Sequence, residues 1–128
     1  MKEIISDNKW LAIFSEAIDL LGEGEFLMEK SQSWCSWTTF DRLKCWDCGY
    51  WNAGLPKKSD LSITGISDGS VWGQPFKYSS IAHIILPKRF CTDMGVVKEQ
   101  NIQQLKLPLM KINVPYNMNE YLLEIKLF

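Results

Sequence analysis

Asp7-Asn8-Lys9-Trp10-Leu11-Ala12-Ile13-Phe14-Ser15-Glu16-Ala17-Ile18-Asp19-Leu20-Leu21-Gly22 is the stretch that decides the fold class. Trp10, Ile13, Phe14, Ala17, Ile18 and Leu21 recur at three- and four-residue spacing, so a helix gathers them into one apolar stripe. Lys9, Glu16 and Asp19 fall off that stripe and face water. Ser6 or Asp7 can cap the first turn, and Gly22 and Gly24 stop the helix. Downstream the pattern changes to short runs rich in β-formers. Residues 25–30 read as a first strand. Residues 34–51 read as two short strands joined by a loop around 41–44, and 61–64 as another strand before a turn at 67–70. The run 77–86, with Ile81, Ile84, Ile85 and Leu86, is a stronger strand that Pro87 closes. Residues 100–106 suit a brief helical turn. The segments 109–114 and 121–128 read as closing strands, with Leu123, Ile125 and Leu127 alternating against Glu124 and Lys126. One amphipathic helix packed on a mainly antiparallel sheet is an α+β domain, and the expected unit is the whole of 1–128.

Size and composition agree with that. A chain of 128 residues, 46% hydrophobic, can bury a core without staples. Its net charge of −1 gives no strong field toward nucleic acid or an anionic membrane. The charge is uneven: residues 1–30 balance at −4, 31–76 at zero and 77–128 at +3. An acidic front of this kind can meet a basic partner, although solvated faces look the same in sequence. The opening Met1-Lys2-Glu3-Ile4-Ile5-Ser6-Asp7 lacks a long apolar leader core, and no apolar run is long enough to span a bilayer. The expected location is the cytoplasm. There Cys35, Cys45, Cys48 and Cys91 are expected as thiols.

Catalytic signatures are sparse. Cys45-x-x-Cys48 is half of a zinc knuckle, in which one turn supplies two tetrahedral ligands; Cys35 and Cys91 stand apart from it. A zinc-stabilised adaptor built on Cys35, Cys45, Cys48 and Cys91 is therefore the alternative reading. A redox dithiol would need a βαβ setting that is missing here. His83 is the one histidine available as a general base, and it lies within the apolar run Ile81-Ala82-His83-Ile84-Ile85, where a satisfied sheet histidine is the simpler reading. Gly22-Glu23-Gly24 follows a helix and is flanked by acids, so it does not cradle phosphate. Only Arg42 and Lys44 thread the tryptophan-rich segment, opposed by Asp41 and Asp47, which disfavours nucleic acid. No enzyme activity and no cofactor are expected.

A binding surface is what the residues leave. Trp34-Cys35-Ser36-Trp37, Cys45-Trp46-Asp47-Cys48 and Tyr50-Trp51 concentrate indole area in one segment, and the chain carries six Trp in all. Trp46, Trp51 and Trp72 lie beside Asp, Asn or Gly residues that suggest loops, as do Asp41, Asp47, Asp60 and Asp68. Acids around aromatic anchors can fill the basic site of a partner, so Asp41, Trp46, Asp47, Trp51, Asp60, Asp68 and Trp72 are the candidate partner-binding residues. The competing reading makes the tryptophans core and the aspartates turn residues.

Asn8-Lys9-Trp10 and Lys77-Tyr78-Ser79-Ser80-Ile81-Ala82-His83-Ile84 resemble the opening helix and a Tyr-Lys-x-Ile-Glu-Trp-type strand of small bacterial immunity-like proteins, with Ala82-His83 in place of the Glu-Trp pair. More broadly the chain resembles immunity proteins of contact-dependent growth inhibition and other polymorphic toxin systems. The resemblance implies a cytoplasmic α+β protein without an active site, a monomer or weak homo-oligomer. It also implies one cognate protein toxin as partner, such as a nuclease, blocked by occlusion.

Overall fold

The computed structural model describes residues 4–45, 49–67 and 71–128. The expected amphipathic helix is α1, Asp7–Leu21. Ser6 is its N-cap, its side chain accepting from the Lys9 N–H, and Gly22 ends it at φ 101°. Trp10, Ile13, Phe14, Ala17, Ile18 and Leu21 are all buried, so the stripe faces the core as its spacing requires.

Strands follow in chain order: β1 Cys35–Thr39, β2 Trp51–Ala53, β3 Gly65–Ile66, β4 Phe76–Lys77, β5 Ile81–Pro87, β6 Arg89–Cys91, β7 Val97–Glu99, β8 Asn117–Met118 and β9 Leu122–Lys126. Five of them form the main sheet in the order β2-β1-β5-β9-β8, every neighbour antiparallel. β3 with β4, and β6 with β7, make two small ribbons. α1 packs on one face of the main sheet together with a second long helical segment near the C-terminus, α3, Lys106–Ile112. The architecture is α+β, with the N-terminal helix on a mainly antiparallel sheet.

Five local expectations change. The run 77–86 is not one strand: a 3-10 turn, Tyr78–Ser80, separates β4 from β5. Residues 25–30 form no strand; the segment carries a 3-10 turn, Met28–Lys30, and the Glu25 N–H donates to Ser31 Oγ at 3.1 Å. Residues 61–64 contribute only a single bridge, Leu61 to Ile66, because the following glycine and isoleucine take the ladder with β4. The connection between β1 and β2 is not all loop: Thr39 caps a short helix, α2, Phe40–Leu43. Residues 109–114 are helical for the most part, not a strand. A 3-10 turn, Ile102–Leu105, runs directly into α3, so Pro108 stands in the first turn, where its missing N–H costs no hydrogen bond. Asn113 then ends α3 in the left-handed conformation at φ 64°.

Register assigns each residue of the main sheet to a face. Trp37 lies opposite Trp51 and Ile84, and Ile84 opposite Ile125; with Cys35, Ala53, Leu86 and Leu123 these make the face under α1 and α3. The other face carries Asn52, Ser36, Ile85, Glu124 and Asn117 in one row, and Thr38, His83 and Lys126 in the next. Rings dominate the first face. Trp37 and Trp72 stack at 3.7 Å and 9°, Trp51 stacks beyond Trp37, and Phe76 meets all three edge-on. Trp10, Phe14 and Tyr78 extend the stack toward α1. On the second face Asn52 and Asn117, at the two edges of the sheet, are exposed.

Candidate functional site

The most structured polar group lies on the open face, where the β1–β2 connection returns to the sheet. Two side chains anchor that return. Thr38 Oγ1 donates to the Gly49 carbonyl at 3.3 Å, and Arg42 Nε donates to the same oxygen at 3.0 Å. Arg42 reaches it because Thr39 starts α2 immediately after β1; Thr39 Oγ1 accepts from the Arg42 N–H at 3.2 Å. The Arg42 guanidinium also lies over the Trp51 ring, 3.9 Å from its centre, a cation–π contact. Gly49 takes a positive φ of 71°, which a side chain would strain.

This anchoring delivers Tyr50 to His83. The Tyr50 hydroxyl is 2.7 Å from His83 Nδ1, and His83 Nε2 is 2.8 Å from Glu124 Oε1. An ionised carboxylate has no hydrogen to give, so Nε2 carries a proton, and in the neutral form of the ring Nδ1 accepts from the Tyr50 O–H. Every hydrogen-bonding atom of the ring is then used. His83 is buried, with Tyr50 and Phe128 both edge-on to it at 5.5 and 5.9 Å. Burial, and secondarily the charge of Glu124, push the Tyr50 hydroxyl above its ordinary range, so it remains protonated at neutral pH. Lys126 stands opposite His83 on β9, its ammonium 4.8 Å from the Phe128 ring. Chemically this is a hydroxyl, a base and a carboxylate that orients the base.

The expected partner-binding residues are only partly brought together. Asp41 is on α2 with its side chain 93% exposed, paired loosely with Lys44 at 3.6 Å. Trp51 is half-buried at the outer strand of the sheet, close to Arg42 of the same helix. Those two share the β1–β2 region. Trp72 belongs to the core, not to an exposed loop: it is stacked on Trp37 and its Nε1 donates to the Gly54 carbonyl at 2.9 Å. Trp10 and Trp37 are buried as well, and Trp34 is half-buried against Phe90. Asp60 sits apart, at the end of a 3-10 turn, its carbonyl holding Ser67 and its Oδ2 buried without a hydrogen-bond partner. Trp46, Asp47 and Asp68 lie outside the described residues, as does Cys48.

The cysteines correct the expectation of four thiols. Cys45 is disulfide-bonded, while Cys35 and Cys91 are free. Cys35 is fully buried, which pushes its thiol far above the usual range and leaves it a small core residue. Among the described residues no group of three or more His, Cys, Asp or Glu is placed to hold a metal. The acidic front is also less bare than its charge balance implies. Lys58 Nζ meets Asp19 at 2.6 Å, Lys57 Nζ meets Glu25 at 2.7 Å, and Glu23 accepts from the Lys58 N–H.

Sequence reasoning missed Tyr50 and Glu124 as partners of His83. The available signal was the alternation of β9, which turns Glu124 outward between Leu123 and Ile125, together with the need of a buried imidazole for two partners. The chain matches no protein-family model, no curated protein and no solved structure.

Proposed function

We propose that this chain is a binding protein of the immunity type, which neutralises a cognate bacterial toxin domain in the cytoplasm by covering its active site or a surface it needs. The observation that carries the reading is the pre-formed end of the sheet at α2 and β2. Asp41 projects into water there, and the half-buried Trp51 lies under the guanidinium of Arg42, the residue that follows Asp41. The backbone behind them is tied down at Gly49 by two side chains, so little freedom is lost on docking. A rigid aromatic beside an exposed acid suits a basic partner surface, such as the substrate groove of a nuclease. No helix among the described residues is long and apolar enough to cross a membrane, which is compatible with this role.

Co-expression tests the proposal. The product of the adjacent gene should be toxic alone, tolerated beside this chain and recovered with it in a stable complex. Asp41→Ala and Trp51→Ala should each weaken that complex. A toxic neighbour that this chain neither binds nor relieves would sink the idea.

A further inference from the structure

The polar chain on the open face does more than complete a sheet. We propose that Tyr50 is a nucleophilic acceptor of a phosphoryl group, with His83 as its general base and Glu124 as the positioning residue. The inference does not depend on the toxin-binding reading.

Three observations lead to it. First, the geometry is that of an activated hydroxyl. Tyr50 Oη lies 2.7 Å from Nδ1, and the opposite ring nitrogen is held 2.8 Å from a carboxylate, which fixes the tautomer that leaves Nδ1 free to take a proton. Second, the arrangement is unlike that of the other buried tyrosine. Tyr78 donates to the Ser62 carbonyl at 2.7 Å, an oxygen that cannot act as a base, and it is fully enclosed. Tyr50 is half-buried and stays within reach of solvent. Third, two cations belong to the neighbouring residues. Arg42 is bonded to Gly49, the residue before Tyr50, and Lys126 stands opposite His83. With Arg42 and Lys126 in these places, the class of electrophile we take for the hydroxyl is an anionic tetrahedral group.

The step balances simply. Tyr50 Oη attacks phosphorus and an O–P bond forms. The bond from phosphorus to the leaving group breaks, and that group departs with its electron pair. The Tyr50 proton passes to His83 Nδ1, and the imidazolium formed is stabilised by Glu124. No oxidant, reductant or metal is needed.

A fluorophosphonate tests this on the intact protein, because fluoride is then the leaving group and mass spectrometry locates the phosphonylated residue. Tyr50 should react faster than Tyr121 by about a hundredfold, the usual scale of general-base assistance, although Tyr121 is 70% exposed. His83→Asn should abolish the preference and remove the ionisation of the base from the rate–pH profile. Glu124→Gln should slow Tyr50 while leaving Tyr121 unchanged; its amide can still accept from Nε2, so the variant keeps the fold if His83→Asn does not. Near-UV circular dichroism confirms folding of each. Labelling of Tyr50 no faster than of Tyr121, or an unaltered rate in folded Glu124→Gln, would overturn the proposal.

Discussion

The covered and open faces of the main sheet differ in what holds them. Under α1 and α3 the sheet is sealed by rings, Trp37 and Trp72 in contact along their planes and Phe76 edge-on to both. On the open face the corresponding rows are polar, and the ordering agent is a hydrogen-bonded chain through His83. The tryptophans that dominate the sequence are therefore spent largely on stability. The chemistry falls to a tyrosine, a histidine and a glutamate that composition does not advertise. Large truncations on the covered face should unfold the protein. Changes on the open face should leave it folded and alter what it does.

The sharpest way to break that contrast is Trp37→Ala. Trp37 is 1% exposed and at the centre of the stack, so its loss should cost about 3–5 kcal/mol in urea unfolding. A cost under about 1 kcal/mol would mean that the ring stack is not the core.

A pH series probes the same face through Tyr78, which stacks on Phe14. Burial pushes its hydroxyl from 10.0 to about 12. The folded value is the higher one, so the native state binds the proton more tightly. The contribution is complete below pH 10 and is lost as pH rises toward 12. Stability should fall there by at most about 1.4 kcal/mol per pH unit. Tyr78→Phe should flatten that part of the curve, measured by urea unfolding at each pH.

Smaller effects belong to the open face. Tyr50→Phe removes one hydrogen bond and leaves Nδ1 without its donor, a loss of about 1 kcal/mol in the same assay. Smallest of all is Asp41→Ala. Its ion pair with Lys44 is fully solvated, so stability should change by no more than about 0.5 kcal/mol. The proposed toxin complex, read by calorimetric titration, should nevertheless weaken. A destabilised Asp41→Ala would move that residue from recognition to structure.

How far the sequence could be read follows from which forces act locally. The stripe of α1 was legible because helical periodicity is a local property, β5 because its run is rich in β-formers, and β9 because its alternation survives in the chain. The segment 109–114 was not. Its apolar run suits strand or helix, and the choice was made by the preceding 3-10 turn and by packing against α1. The candidate site was less legible still. Asp41 and Trp51 are candidates by residue type alone, and Trp72 does lie in a turn, but its ring is core because tertiary packing brings it onto Trp37. The His83 chain joins residues 50, 83 and 124 from three strands or their ends, and its existence depends on a register that no spacing along the chain reveals.

His83 is the only histidine in the sequence, so one long-range proton–nitrogen NMR spectrum of the labelled protein reads the centre of the open face without assignment. The predicted result is a neutral imidazole with the proton on Nε2 and an Nδ1 that accepts a hydrogen bond, changed in Tyr50→Phe. An imidazole protonated on Nδ1, or averaging freely between tautomers as in a solvated side chain, would contradict the arrangement on which this account of the open face stands.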